Sequence, residues 1–88
     1  MRVTVTQVGG DGSVLRAVVD AAGRDDAARW EELAERAGLG VAPPYRARPG
    51  EAVYHIRAGE LAVQVAERDL TGPLRELVTA VLAEAADG

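Results

Sequence analysis

The sequence predicts a single α+β domain in which a four-stranded, mainly antiparallel sheet carries two helices on one face, in the order β-β-α-β-β-α. Two pairs of segments alternate apolar and polar residues across short connections, which is typical of β-hairpins. A segment with apolar residues at helical spacing follows each pair. The 88 residues match one small domain, which we place at residues 1–88.

The first hairpin is predicted over residues 2–8 and 14–20. Val3 and Val5 share one face of the first strand, as expected for a strand that is buried on one side. The second strand repeats this alternation, with an apolar face made of Leu15, Ala17 and Val19. A glycine-rich segment connects the two strands.

The first helix is predicted over residues 25–37. Asp25 or Asp26 can cap its start, and Gly38 can adopt the left-handed conformation that ends it. Its apolar stripe consists of Trp30, Leu33, Ala34 and Ala37. Residues 38–50 then contain three prolines and three glycines, which favours a connecting loop over regular structure.

A second hairpin and a closing helix complete the domain. Residues 52–57 and 61–66 read as strands connected through Ala58 and Gly59. Thr71 is placed to cap the closing helix, and Pro73 falls in its first turn, where a missing N–H is tolerated. The apolar stripe of this helix consists of Leu74, Leu77, Val78, Val81 and Leu82, which predicts a helix packed on the sheet.

Composition narrows the classes of partner and compartment. The net charge is −4, and all ten basic residues are arginines scattered along the chain, so we expect no nucleic-acid partner. The absence of Cys suits a reducing compartment, and the alternating N-terminal segment indicates neither a signal peptide nor a membrane span. We therefore expect a cytoplasmic protein without a membrane partner.

Catalytic and cofactor sites find little support in the sequence. Ser13 and His55 are the single representatives of their residue types and lie on different hairpins, so a Ser–His pair is the less favoured interpretation. The acidic clusters read as a helix cap and a solvated helix face, which predicts no metal site. The glycine segment has no P-loop Lys and precedes a strand, which argues against a nucleotide. We expect no enzymatic activity and no cofactor.

Four segments carry a family likeness: "VTVTQVGG" at the N-terminus, "ARWEELAERAGL" in the first helix, "PPYRARPGEAVYHI" in the middle and "PLRELVTAVLAEA" at the end. Together they resemble the emfourin family of proteinaceous inhibitors of thermolysin-like zinc metalloproteases. The likeness follows the order of elements over nearly the whole chain. Its most specific parts are the strand ending in Gly9 and Gly10, and residues 49–54, which resemble the family's Pro-Asp-x-x-x-Tyr pattern with Gly50 in place of Asp.

The resemblance implies that the glycine-rich loop enters the cleft of a thermolysin-like metalloprotease. An apolar side chain at its end can fill the pocket beyond the scissile bond, while its backbone adds to the edge strand of the cleft. The implied protease-binding loop consists of Gly9, Gly10, Asp11, Gly12, Ser13, Val14 and Leu15. A second contact is expected from Pro44, Tyr45 and Arg46, because one loop alone rarely provides a full interface.

Two alternatives stay open at this point. Asp11 can replace the zinc-bound water of the protease, or it can simply stabilise the turn, as turn statistics favour. Asp11 also stands where related sequences carry a bulky aromatic residue, and the alternative to inhibition is a non-inhibitory interaction or self-associating module on the same scaffold. An exposed patch of Val14, Val18 and Val53 would favour self-association. The expected state is a monomer or a weak homodimer.

Overall fold

The chain folds as a four-stranded antiparallel sheet with two helices, in the predicted order β-β-α-β-β-α. The computed structural model describes residues 1–41, 45, 46 and 48–87. The strands are β1 (Arg2–Val8), β2 (Val14–Asp20), β3 (Val53–Ala58) and β4 (Leu61–Ala66), and the helices are α1 (Ala27–Ala37) and α2 (Gly72–Asp87). Short 3₁₀ turns at Leu39–Val41 and Glu67–Asp69 follow α1 and β4.

The strands lie side by side in the order β2-β1-β3-β4. Each predicted hairpin is present, and β1 joins the two hairpins by pairing with β3 in the centre of the sheet. Val8 is opposite both Val14 and Val53. The glycine-rich loop and the segment that precedes β3 therefore leave the sheet at the same end, which we call the loop end.

Both helices contribute to one hydrophobic core against the inner face of the sheet. This face carries Val3, Val5, Ala17, Val19, Tyr54, Ile56, Ala58 and Val65, all of which are buried. From the helices, Trp30 of α1 and Leu77 of α2 are among the most completely buried side chains. The opposite face, which we call the outer face, carries Thr4, Thr6, Arg16, Val18, His55, Arg57, Ala62 and Gln64, as the strand alternation requires.

The start of α1 differs from the prediction. The helix begins at Ala27 rather than at residue 25, and Asp26 occupies the cap position without making a side-chain cap bond. Its carboxylate instead accepts hydrogen bonds from Arg24 Nε at 2.9 Å and from the buried Trp30 indole at 3.1 Å. Arg24 also reaches Glu84 of α2 at 2.7 Å, so this cluster ties the two helices together.

The ends of the other elements follow the sequence closely. Gly38 ends α1 in the left-handed conformation, with φ 62° and ψ 46°, as predicted. The third strand runs one residue later than predicted, whereas the bounds of the fourth agree. Thr71 precedes α2 and Pro73 lies in its first turn.

Candidate functional site

The glycine-rich loop at residues 9–13 is a closed, hydrogen-bonded hairpin loop. Gly9 donates its N–H to the Ser13 carbonyl at 2.8 Å, and Gly12 donates to the Gly9 carbonyl at 3.0 Å. Gly12 has a φ of 88°, which residues with a side chain rarely adopt. The loop therefore holds a defined shape although most of its residues are exposed.

Asp11 is the side chain that fixes this loop. Its Oδ1 atom accepts a hydrogen bond from the Ser13 backbone N–H at 2.9 Å. Hydrogen bonds from the Ser13 side chain and backbone hold the pKa of Asp11 below its ordinary value, because they favour the ionised carboxylate. This contact fits the interpretation of Asp11 as a turn residue.

Two large apolar side chains are exposed immediately after the loop. Val14 is 66% exposed and Leu15 is 54% exposed. Since successive side chains of a strand point to opposite faces, the two project to either side of the same edge. The sequence placed Leu15 on the same face as Ala17 and Val19, but Leu15 is more than half exposed at the end of β2, whereas the other two are buried.

A second segment lies against the glycine-rich loop. A Cβ atom added at Gly10 would fall within 2.5 Å of the Gly50 carbonyl carbon, so the two backbones are in close contact. Arg68 holds this second segment in place, because its guanidinium pairs with the Glu51 carboxylate and also donates to the Arg46 carbonyl at 2.9 Å. The loop end thus carries two adjoining, internally bonded segments.

The predicted second contact is only partly described. Tyr45 is half-buried and Arg46 is exposed, and both belong to the segment held by Arg68. Pro44 lies outside the described residues. The prediction of a second contact at Tyr45 and Arg46 is compatible with the hydrogen bond from Arg68 to Arg46, and it stays a prediction.

The outer face gathers polar residues that are far apart in the sequence. Arg16 of β2, Thr6 of β1, His55 of β3 and Gln64 of β4 form one row across the sheet. Arg57 lies opposite Thr4 in the adjacent row, and the rows line a shallow depression of about 690 Å³. The alternation along each strand predicts that these side chains share a face with their neighbours on that strand. Which strands bring them together depends on the β1–β3 pairing.

The structure keeps the two candidate catalytic residues in different places. Ser13 belongs to the loop, whereas His55 lies two residues inside β3, with its Nδ1 atom 3.3 Å from Gln64 Nε2. Within residues 1–41, 45, 46 and 48–87, no group of three or more potential metal ligands converges. Over the same part of the chain, no helix has the length and apolar character needed to cross a membrane.

Comparison with known proteins found no match to a family model, to a curated protein or to a solved structure. The candidate site is accordingly defined by the chain's own geometry. Its central element is the ordered loop at residues 9–13, with the exposed Val14 and Leu15 at its end.

Proposed function

We propose that this protein is a stoichiometric inhibitor of a thermolysin-like zinc metalloprotease and blocks the active-site cleft with residues 9–15. The observation that carries the proposal is the ordered loop whose end presents Val14 and Leu15 to solvent. The resemblance to emfourins supplies the class of target. The zinc ion belongs to the protease, and the inhibitor itself acts without a cofactor and without catalysis, in the cytoplasm.

The loop geometry supports binding without productive cleavage. Its internal hydrogen bonds are already formed in the free protein, so little conformational entropy is lost when it enters a cleft. Leu15 is suited to the apolar pocket beyond the scissile bond, while the backbone of the loop can add to an edge strand of the protease. A loop held at both ends by β1 and β2 also resists the distortion that cleavage requires.

The adjoining segment supplies the additional area that a stable complex needs. An ordinary interface buries about 800 Å² on each partner, more than one hairpin loop presents. Gly50 contacts Gly10, and the segment with Tyr45 and Arg46 is tied to the same end of the sheet through Arg68. We therefore assign Tyr45 and Arg46 to the rim of the interface.

Asp11 can contribute to inhibition in two ways, and two substitutions at this position distinguish them. Asn at position 11 keeps an oxygen that accepts the Ser13 N–H but removes the negative charge, whereas Ala removes both. If Asp11 acts as a turn residue, Asp11→Asn inhibits like wild type and only Asp11→Ala is weakened. If its carboxylate displaces the zinc-bound water, both variants lose inhibition.

The test of the proposal is the residual activity of a purified thermolysin-like protease titrated with this protein. Wild type should abolish activity near one equivalent, and Leu15→Ala should weaken inhibition by about 30-fold, the effect of removing an anchor worth about 2 kcal/mol. Leu61→Ala is the matched control, because Leu61 is equally exposed, at 53%, and begins β4 at the opposite end of the sheet. Equal inhibition by both variants would contradict the assignment of the contact to residues 9–15.

A second candidate function is a non-inhibitory interaction module on the same scaffold. The outer face favours it, because Val18 is 43% exposed there and the depression lined by Arg16 and His55 lies beside it without cover from the described residues. Full protease activity at a large excess of wild-type protein would move this candidate to first place.

A further inference from the structure

The edge of the sheet formed by β2 is apolar and exposed. Among the described residues, four large apolar side chains are exposed, and three of them, Val14, Leu15 and Val18, belong to this one strand. Natural edge strands are protected by lysines, prolines, bulges or covering segments, because an uncovered edge pairs readily with another strand. The seven residues of β2 contain neither Lys nor Pro.

The hydrogen-bond register shows which backbone groups this edge offers. Gly9 donates to the Ser13 carbonyl and Ala21 donates to the Met1 carbonyl, so the odd-numbered residues of β2 face β1. Since bonded and non-bonded pairs alternate along an antiparallel ladder, the N–H and C=O groups of Arg16, Val18 and Asp20 point away from β1. These are also the residues whose side chains lie on the outer face.

The charges along this edge are self-complementary about Val18. Arg16 and Asp20 lie two residues to either side of it, and all three side chains are exposed. If a second copy of β2 pairs antiparallel with Val18 opposite Val18, each Arg16 stands opposite Asp20 of the second copy. Opposite charges directly across a ladder are favourable, and here the two-fold symmetry produces the pair twice.

We propose that two copies of this chain associate through their β2 edges, with Val18 on the two-fold axis, to form a continuous eight-stranded sheet. Three hydrogen-bonded pairs of residues form across the seam, which gives about six backbone hydrogen bonds. The proposal does not rest on protease inhibition, and the two-fold axis directs the glycine-rich loops to opposite ends of the assembly. Each copy keeps its own loop for a target.

The helices are compatible with this seam. Helix α2 packs on both β1 and β2, and more extensively on β2. With strands about 4.8 Å apart, an α2 axis above the gap between β1 and β2 would lie roughly 10 Å from the α2 axis of the second copy, the distance at which helices pack. Next to the edge, Leu82 and Ala85 of α2 and Leu15 of β2 line a hollow of about 240 Å³, so the surface facing the second copy is largely apolar.

Charge reversal at the seam provides the test, with sedimentation velocity over a range of concentrations as the measurement. Arg16→Asp places two acidic side chains opposite each other, and Asp20→Arg places two basic ones, so each should weaken dimerisation by about tenfold or more. The double variant, Arg16→Asp with Asp20→Arg, restores opposite charges across the seam and should recover most of the lost affinity, since the one new like-charge contact is with Arg2 of the same copy. Recovery distinguishes this register from any dimer that uses another surface.

A backbone variant provides an independent readout. Val18→Pro removes an N–H that points away from β1, so it should leave the β1–β2 ladder formed but abolish dimerisation. Gln64→Pro is the matched control on the opposite edge, where the even-numbered residues of β4 point away from β3 by the same alternation. Circular dichroism and urea unfolding check that each variant is folded.

Each possible result of these experiments either supports the dimer or overturns it. A concentration-dependent dimer that is lost in the single charge variants and recovered in the double variant supports the proposal. A wild-type protein that remains monomeric up to millimolar concentration overturns it, as does a dimer unchanged by charge reversal. Because protease titration uses a different readout, failure of the dimer leaves the proposed inhibition standing, and the reverse also holds.

Discussion

Replacing Gly10 with Ala should separate the two segments at the loop end of the sheet. The added Cβ would lie 2.5 Å from the Gly50 carbonyl carbon and 2.8 Å from its Cα, and closer still to the carbonyl oxygen. Ordinary contact begins near 3.4 Å, so the backbones must move apart by at least about 0.9 Å, which no side-chain rotation can supply. Overpacking of this kind costs roughly 1–3 kcal/mol of stability.

Two further glycines act as controls for this variant. Gly40→Ala adds a Cβ into open space at an ordinary φ, so it should leave stability unchanged or raise it by about 0.4–1 kcal/mol. Gly12→Ala also meets open space, but its φ of 88° should cost about 1–2 kcal/mol without displacing Gly50. Gly10→Ala therefore lowers stability through a steric contact, whereas Gly12→Ala lowers it through backbone conformation.

Urea unfolding and backbone amide NMR spectra together decide the outcome. Gly10→Ala should lower the free energy of unfolding and shift the amide signals of Gly50 and Glu51, whereas Gly12→Ala should lower it while leaving those signals in place. If Gly10→Ala leaves both the stability and the Gly50 signal unchanged, the two segments are not in contact. The proposed composite interface at the loop end would then lose its structural basis.

Three other predictions concern the core, the helix cluster and the second segment. Leu77→Ala, at a fully buried position, should cost about 2–5 kcal/mol in urea unfolding, against less than about 0.5 kcal/mol for the exposed Leu61→Ala; equal losses would contradict the core assignment. Desolvation raises the pKa of Asp26, but hydrogen bonds from an arginine and a buried indole outweigh it and leave this pKa below its ordinary value. Its contribution to stability is therefore present above about pH 4 and lost as the pH falls through the folded-state pKa, so thermal unfolding of Asp26→Asn should depend less on pH between about 5 and 2 than that of wild type. Arg68→Met removes both ties to the second segment and should accelerate hydrogen exchange at the Glu51 amide, whose acceptor is a carbonyl of the same segment; unchanged exchange would show that the ties are dispensable.

Sequence patterns predicted the type and order of the elements because those patterns depend on neighbours along the chain. Strand alternation identified both hairpins, and the left-handed Gly38 ended α1 where expected. The prediction failed for the role of Asp26, whose carboxylate binds Arg24 and Trp30 instead of capping the helix. A cap is recognised from local sequence, but this carboxylate is recruited by a cluster that also reaches α2.

What the sequence by itself determined is the architecture and the position of the loop at residues 9–13, including the residue types that allow its tight turn. Only the tertiary structure decided which residues meet. The β1–β3 pairing brings His55 beside Thr6 and Gly50 against Gly10, although these pairs are 40 or more residues apart. It also decided that Leu15 is exposed whereas Val19, on the same face, is buried. Periodicity along a strand assigns a face, but neighbouring strands and the reach of the covering helix are fixed by long-range packing, which local spacing does not encode.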